Sequence, residues 1–359
     1  MQITRILATL TLLVGAIAHP GGHDHGPEEL QKQDALWQHA KRSIADCSSS
    51  LMARGARLLG DLNSRRNFVR NEDYHPTTSR RSAGVSRKMS IRRYCSLETP
   101  APEVTQGPYY VSREKIRYDL RENQPGVDLF LDLQFIDINT CEPVPDTYVD
   151  IWHANATGVY SGVVASGNGD STDATNLDAT FLRGLWKTND EGVVQFLTLF
   201  PGHYTGRAHH THLIAHQGGT QNLNATYSGG KVTHIGQLFY DTSLQEAVSA
   251  IEPYASNSQD LTSNEDDMLA PSASGDDFDP FVQYVYLGDI VEDGVFGWVS
   301  IGIDTSQTYN VSSTATLTED RGVANSDFSA GGGDGPEMND TGRPSGSAPS
   351  GARPSLLLP

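Results

Sequence analysis

From Leu97 to Ile303 the apolar residues fall in short runs bounded by Gly, Pro, Asn and Asp, and no long amphipathic helix interrupts them. Leu129 to Ile138, Tyr148 to His153, Val193 to Phe200, His212 to Ile214, Gln237 to Tyr240 and Phe296 to Ile303 are rich in β-branched and aromatic side chains. Such residues suit a pleated, half-buried surface. Punctuation of this kind fits a β-sandwich better than alternating strands and helices, so the chain predicts an all-β core, a β-sandwich with long loops. Ser256 to Asp279, acidic and Ser-rich, reads as a long surface loop.

The flanks differ. Met1 to Arg5 carries one positive charge, Ile6 to Ile17 is apolar, and Ala16-Ile17-Ala18 places small residues ahead of His19. That order predicts a signal peptide over 1–18 and a secreted protein, since the run is short for a bilayer span. Residues 19–96 hold a Gly- and His-rich start, a helical segment and a basic connector over 71–94. In the helical segment Leu30, Trp37, Ile44, Leu51 and Leu58 recur every seven residues. A stripe like that packs onto the main domain or across a dimer. The core domain is assigned to 97–304. Beyond it, 305–359 is dominated by Ser, Thr, Gly, Asp and Pro and reads as a low-complexity disordered tail.

A formal charge of -18 argues against a general nucleic-acid binder, and no other segment is apolar enough to cross a membrane. Cys47, Cys95 and Cys141 allow one disulfide and one remaining thiol; Cys95 with Cys141 is the favoured pair. Asn155, Asn224, Asn310 and Asn339 each begin a glycosylation sequon, with Asn155 the poorest acceptor because it sits in a core motif.

The metal-capable side chains concentrate in Pro201 to His216, PGHYTGRAHHTHLIAH. On a strand, His210 and His212 point to one side and can reach one ion, while His209 and Thr211 face the other way. Asp150 to Gly162, DIWHANATGVYSG, reads as a strand running into a glycine turn that presents Tyr160, and Tyr204 lies six residues before His210. Two phenolates with two neutral imidazoles favour a hard ion such as Fe(III).

These stretches resemble the intradiol ring-cleavage dioxygenases, and in particular their secreted fungal-type branch. The resemblance spans roughly Thr99 to Ile303 and rests on four blocks in family order: TQGPYYV (Thr105 to Val111), PVPDTYVDIWHANATGVYSG, FLRGLWKTNDEGVVQFLTLFPGHY and RAHHTH. It implies that Tyr160, Tyr204, His210 and His212 hold non-haem Fe(III), with Tyr204 and His212 axial. It further implies that Arg207 offsets negative charge developing on the substrate ring and that Gln237 lies by the substrate and oxygen pocket. Tyr204 would also accept a catechol proton. The implied reaction takes a small aromatic diol and O2 and inserts both oxygen atoms between the hydroxylated carbons, giving a cis,cis-muconate type diacid.

Two departures bear on the substrate. Arg207-Ala208-His209-His210 lacks the proline found in many intracellular relatives, and the Tyr204 to His210 interval is short. The choice among catechol, hydroxyquinol, a carboxylated catechol or a bulkier diol therefore stays open, as do oligomerisation through the helical segment and cleavage of the connector. Two rivals compete with the enzyme. A cupin-like metal oxidase also uses His-x-His, but no acid follows His212 within the next four residues. A non-catalytic β-sandwich binding module could share the fold, yet it gives no reason for four ligands and Arg207 together.

Overall fold

The computed structural model describes residues 106–325 except 166, 169–171, 275–278 and 320. The signal peptide, heptad stripe, connector, Cys47, Cys95, Asn339 and the chain beyond 325 lie outside the described residues. Thirteen strands run in order: β1 (Val111–Ser112), β2 (Asp128–Asp137), β3 (Tyr148–Trp152), β4 (Arg183–Lys187), β5 (Val193–Leu199), β6 (His210–Gln217), β7 (Thr220–Gln221), β8 (Tyr227–Ser228), β9 (Lys231–Phe239), β10 (Gln283–Tyr286), β11 (Val295–Ile303), β12 (Ala315–Leu317) and β13 (Gly322–Ala324).

Two four-stranded sheets, β10-β11-β2-β5 and β4-β3-β6-β9, form the expected sandwich. Its core follows from period-two alternation. Leu129, Leu131, Leu133 and Phe135 of β2, with Val194 and Phe196 of β5, meet Val149 and Ile151 of β3 and Leu213 and Ala215 of β6 in one buried cluster. Fully burying a side chain of this size contributes about 1.5–3 kcal/mol. The opposite face of the second sheet therefore receives the alternate residues, and there Trp152 and Ile214 join a second cluster with Tyr109, Tyr160, Tyr204 and Tyr309.

Two expectations are corrected. The folded domain continues past 304: Tyr309 is buried and pairs with Val232, and β12 and β13 complete a small sheet with β1. Polar composition hid these strands because they bury few side chains. Ser256 to Asp279 is not simply a surface loop, since Asp267, Leu269, Ala270 and Ala273 are buried. A short helix, α1 (Thr242–Ser249), follows β9 and is capped by Asp241, whose carboxylate accepts the Leu244 amide at 2.7 Å. A second, α2 (Ala270–Ala273), ends the described part of the supposed loop. Cys141 is disulfide-bonded, with its partner outside the described residues. Among the described residues no helix is long and apolar enough to cross a membrane.

His153 ties the sheets together. Its Nδ1–H donates to the Ala154 carbonyl at 2.9 Å, so Nε2 accepts from the Thr198 hydroxyl on β5 at 2.8 Å. Burial, aided by Arg183 and opposed by the Ala154 bond, pushes His153 down to about 4, and burial alone does the same to His216. Both are neutral when folded, whereas the unfolded chain takes up protons near pH 6.5. Stability is therefore full above about pH 6.5 and falls as the pH drops towards 4, by about 3 kcal/mol per histidine at most. Urea titrations at pH 7 and pH 5 check this; a flat profile across that interval contradicts it.

Candidate active site

Register places one row of side chains across the second sheet. Arg183 pairs with Trp152, Trp152 with His212, and His212 with Gln237, and residues directly opposite share a face. His210 follows on the same face of β6, two residues from His212. The Trp152 ring stacks on His212 with centroids 4.9 Å apart and planes 3° from parallel. On its other flank His212 meets the backbone of Gly107. A Cβ at 107 would stand 2.7 Å from His212 Cε1, and the backbone there has φ +78. Gly107→Ala is thus expected to destabilise the fold by about 1–3 kcal/mol through overpacking and strain, measured by chemical denaturation; unchanged stability contradicts that packing.

Tyr160 arrives on a turn built by its own motif. Asn155 Oδ1 accepts from the Thr157 and Val159 amides at 3.1 and 3.0 Å, which engages the side chain of the poorest predicted sequon. Two buried amides then clamp Tyr160 itself. Asn168 Oδ1 accepts the Tyr160 amide at 2.7 Å, and the Asn168 and Asn176 Nδ2 groups both donate to the Tyr160 carbonyl at 2.8 Å. Arg183 is buried behind the ring, its guanidinium carbon 6.0 Å from the Tyr160 centroid.

The four predicted ligands meet at one point. His210 Nε2 lies 3.1 Å from the Tyr160 hydroxyl, 3.4 Å from the Tyr204 hydroxyl and 3.1 Å from His212 Nε2. All four residues are buried. The tautomer of His210 is fixed, because Nδ1 lies 2.6 Å from the Ala208 carbonyl and must donate to it. Its Nε2 lone pair therefore points into the cluster, as a metal-ligating imidazole's does. Burial pushes the Tyr160 and Tyr204 phenols above their ordinary range; at Tyr204 the Arg207 charge partly opposes this. Phenolates at these positions require a strong cation between them.

Arg207 and Gln237 also come together. Arg207 Nη2 donates to Gln237 Oε1 at 2.7 Å, while Nε donates to Asp267 Oδ2 at 2.8 Å. His209 and Thr211 point away as predicted: His209 packs on Phe200 and His203, and Thr211 bonds to the Tyr240 hydroxyl.

Comparison with known proteins was decisive for the family. A family model described as Dioxygenase matches residues 105–227. The intradiol ring-cleavage dioxygenase from Tetranychus urticae is 30% identical, the alignment covering 59% of this chain and 98% of that one, with a TM-score of 0.48. The chain belongs to the intradiol ring-cleavage dioxygenases. The dioxygenase domain of a dioxygenase–carbohydrate-binding fusion from Streptomyces sp. SirexAA-E is 24% identical, covering 57% of this chain and 98% of that one at a TM-score of 0.37. No curated protein matches the sequence.

The dioxygenase site contains residues that sequence reasoning passed over. Asp267 gave no signal, being one acid in a Ser- and Asp-rich run. Trp152 stood inside a quoted motif, but its stacking on His212 needed the strand register. Tyr109, from the GPYY block, lies with its ring 4.8 Å from Tyr160 and 6.3 Å from Tyr204. Its hydroxyl is buried without a hydrogen-bond partner among the described residues, leaving a polar atom at the edge of the ligand cluster. Among the described residues no group of three His, Cys, Asp or Glu could hold a metal, so any ion here needs the tyrosines.

Proposed function

We propose that this dioxygenase is a secreted, Fe(III)-dependent enzyme of the fungal-type branch that cleaves a catechol-type diol between its hydroxylated carbons, releasing a cis,cis-muconate type diacid. The observation that carries the reading is the convergence of Tyr160, Tyr204 and His212 on His210 Nε2 within 3.4 Å. Two nitrogens each about 2.1 Å from a shared ion stand roughly 3 Å apart, close to the His210–His212 separation of 3.1 Å. Two phenols and two imidazoles make a hard, oxygen-rich donor set that fits a ferric ion.

Tyr160, Tyr204, His210 and His212 would hold the ion, which when bound would supply Lewis acidity and one-electron redox chemistry. The remaining chemistry belongs to the chain. Tyr204, as a phenolate, would take a diol proton at its phenolic oxygen. Arg207 sits three residues away, fixed and fully buried, where its charge opposes the negative charge that builds on the substrate ring. Gln237 holds Arg207 from the neighbouring strand, where it pairs with His212 on the same face of the sheet. Both atoms of O2 enter the product, and the broken carbon–carbon bond provides the four electrons, so no external reductant is consumed.

Secretion is supported by the 1–18 pattern, by the disulfide at Cys141 and by exposed sequons at Asn224 and Asn310. Oxygen uptake by the purified full chain against a panel of substituted catechols, with product identification, tests the activity. The expected result is stoichiometric O2 consumption and a ring-opened diacid; cleavage outside the two hydroxylated carbons contradicts it.

A further inference from the structure

The segment taken from sequence for a surface loop is a strap over the active-site turn. Five of the six positions from 203 to 208 bind it. The His203 carbonyl accepts from Asn257 Nδ2 at 2.9 Å, and the His203 ring donates to the Gln259 carbonyl at 3.0 Å. The Thr205 amide donates to Gln259 Oε1 at 3.3 Å, the Gly206 amide to Thr262 Oγ1 at 3.1 Å, and the Ala208 amide to Asp267 Oδ2 at 2.8 Å. Arg207 enters through its side chain. The strap also reaches the turn that presents Tyr160, through Gln259 Nε2 on the Thr157 carbonyl at 3.1 Å. Both tyrosine-bearing turns therefore lean on residues 257–267.

We infer that Asp267 is the positioning residue for Arg207, fixing the guanidinium against Gln237 so that its charge faces the reacting ring. The inference rests on the role given to Arg207 above. Its physical basis is the geometry of the fork. Asp267 Oδ2 takes Nε–H at 2.8 Å, Oδ1 lies 3.4 Å from Nη2, and Gln237 Oε1 takes Nη2 at 2.7 Å. With one edge held by a carboxylate and Nη2 held again by an amide, the planar group cannot swing about the Cδ–Nε bond. The carboxylate is itself immobile. Oδ1 accepts the Leu269 and Ala270 amides at 2.8 and 3.0 Å, and both members of the pair have side chains 0% exposed. A fixed dipole or charge contributes most to catalysis when no reorganisation is needed as the substrate charge develops. The hydrogen bonds of Asp267 go to Arg207 and to the Ala208, Leu269 and Ala270 amides, and Arg207 is the one charged group it orients.

The test is a double-mutant cycle on the full-length, iron-loaded chain, using Asp267→Asn, Arg207→Ala and the double variant, with crystal structures of the native protein and Asp267→Asn. In the native background Asp267→Asn is expected to lower kcat about 10- to 100-fold, with KM moved less than about threefold because the lost interaction belongs to the transition state. In the Arg207→Ala background the same change should cost less than about threefold. Tyrosinate absorption should stay at its native position, and the crystal structure should show Arg207 withdrawn from Gln237. Equal losses in both backgrounds, a kcat like the native one, or an unmoved guanidinium overturns the inference. If Asp267→Asn yields no folded protein, the cycle is run with Asp267→Glu, and the same outcomes decide. Should the native chain consume no O2 with any catechol, the functional reading fails, and the guanidinium position in the two crystal structures still decides whether Asp267 sets it.

Discussion

Tyr204→Phe and His212→Ala each reduce oxygen uptake with catechols by about 1000-fold or more and bleach the tyrosinate colour. The size follows from the arrangement. Losing a group that merely orients a ligand typically costs about 10- to 100-fold, and these changes remove a donor outright from a cluster closed within 3.4 Å of His210 Nε2. Tyr204→Phe is the cleaner case, because it deletes one oxygen from a fully packed ring and leaves the volume in place. It removes both a proposed iron ligand and the proposed proton acceptor. His212→Ala also empties the slot between Trp152 and Gly107, so it should lose stability as well as activity. Oxygen electrode rates, iron content and thermal unfolding measured together separate these effects. Near-normal turnover in either variant would mean that the ligand set is misassigned.

Arg207→Ala is expected to destabilise the enzyme by about 3–5 kcal/mol at neutral pH, the usual consequence of leaving a buried charge unpaired. In the native protein burial tends to raise Asp267, but the Arg207 charge and the bonds from Arg207, Leu269 and Ala270 hold it below the ordinary carboxylate range. A depressed folded value contributes stability above the unfolded pKa, and that contribution is lost as the pH falls through the folded value. Without Arg207 the burial effect is opposed only by the backbone bonds and the folded value rises, so the variant's penalty grows as the pH rises through the carboxylate range. The stability gap between native and variant should therefore be larger at pH 7 than at pH 4. Urea unfolding at both values measures it, and a gap that is the same or smaller at pH 7 contradicts the pairing. Catalysis falls separately, since a fixed cation beside a developing anion is typically worth about 100- to 1000-fold.

What the sequence revealed of this site was what local periodicity encodes. His210 and His212 share a face because they are two apart on β6, and Thr211 turns to the core for the same reason. Tyr160 could be placed because its turn is made by neighbours in its own motif, Asn155 and Gly158. The sandwich was legible from short runs rich in β-branched and aromatic residues between Gly, Pro, Asn and Asp, and the apolar residues of β2, β3 and β5 fill the space between sheets. Non-local facts were hidden. Asp267 meets Arg207 across 60 residues of chain, and neither residue type nor spacing distinguishes it from its acidic neighbours. Helix α1 escaped notice because eight residues bury only Leu244, Gln245 and Val248, too short a stripe to show a helical period. The strands beyond 304 resemble loop in composition, since β12 and β13 are three residues each.

The central claim is that two tyrosines and two histidines share one ferric ion. Resonance Raman spectroscopy of the purified full chain, excited within its visible absorption and paired with iron analysis, addresses it most directly. About one iron per chain, fitting a hard site with two phenolates, and tyrosinate vibrations that change in both Tyr160→Phe and Tyr204→Phe are the predicted result. A folded, catechol-cleaving protein that is colourless and free of iron would contradict it.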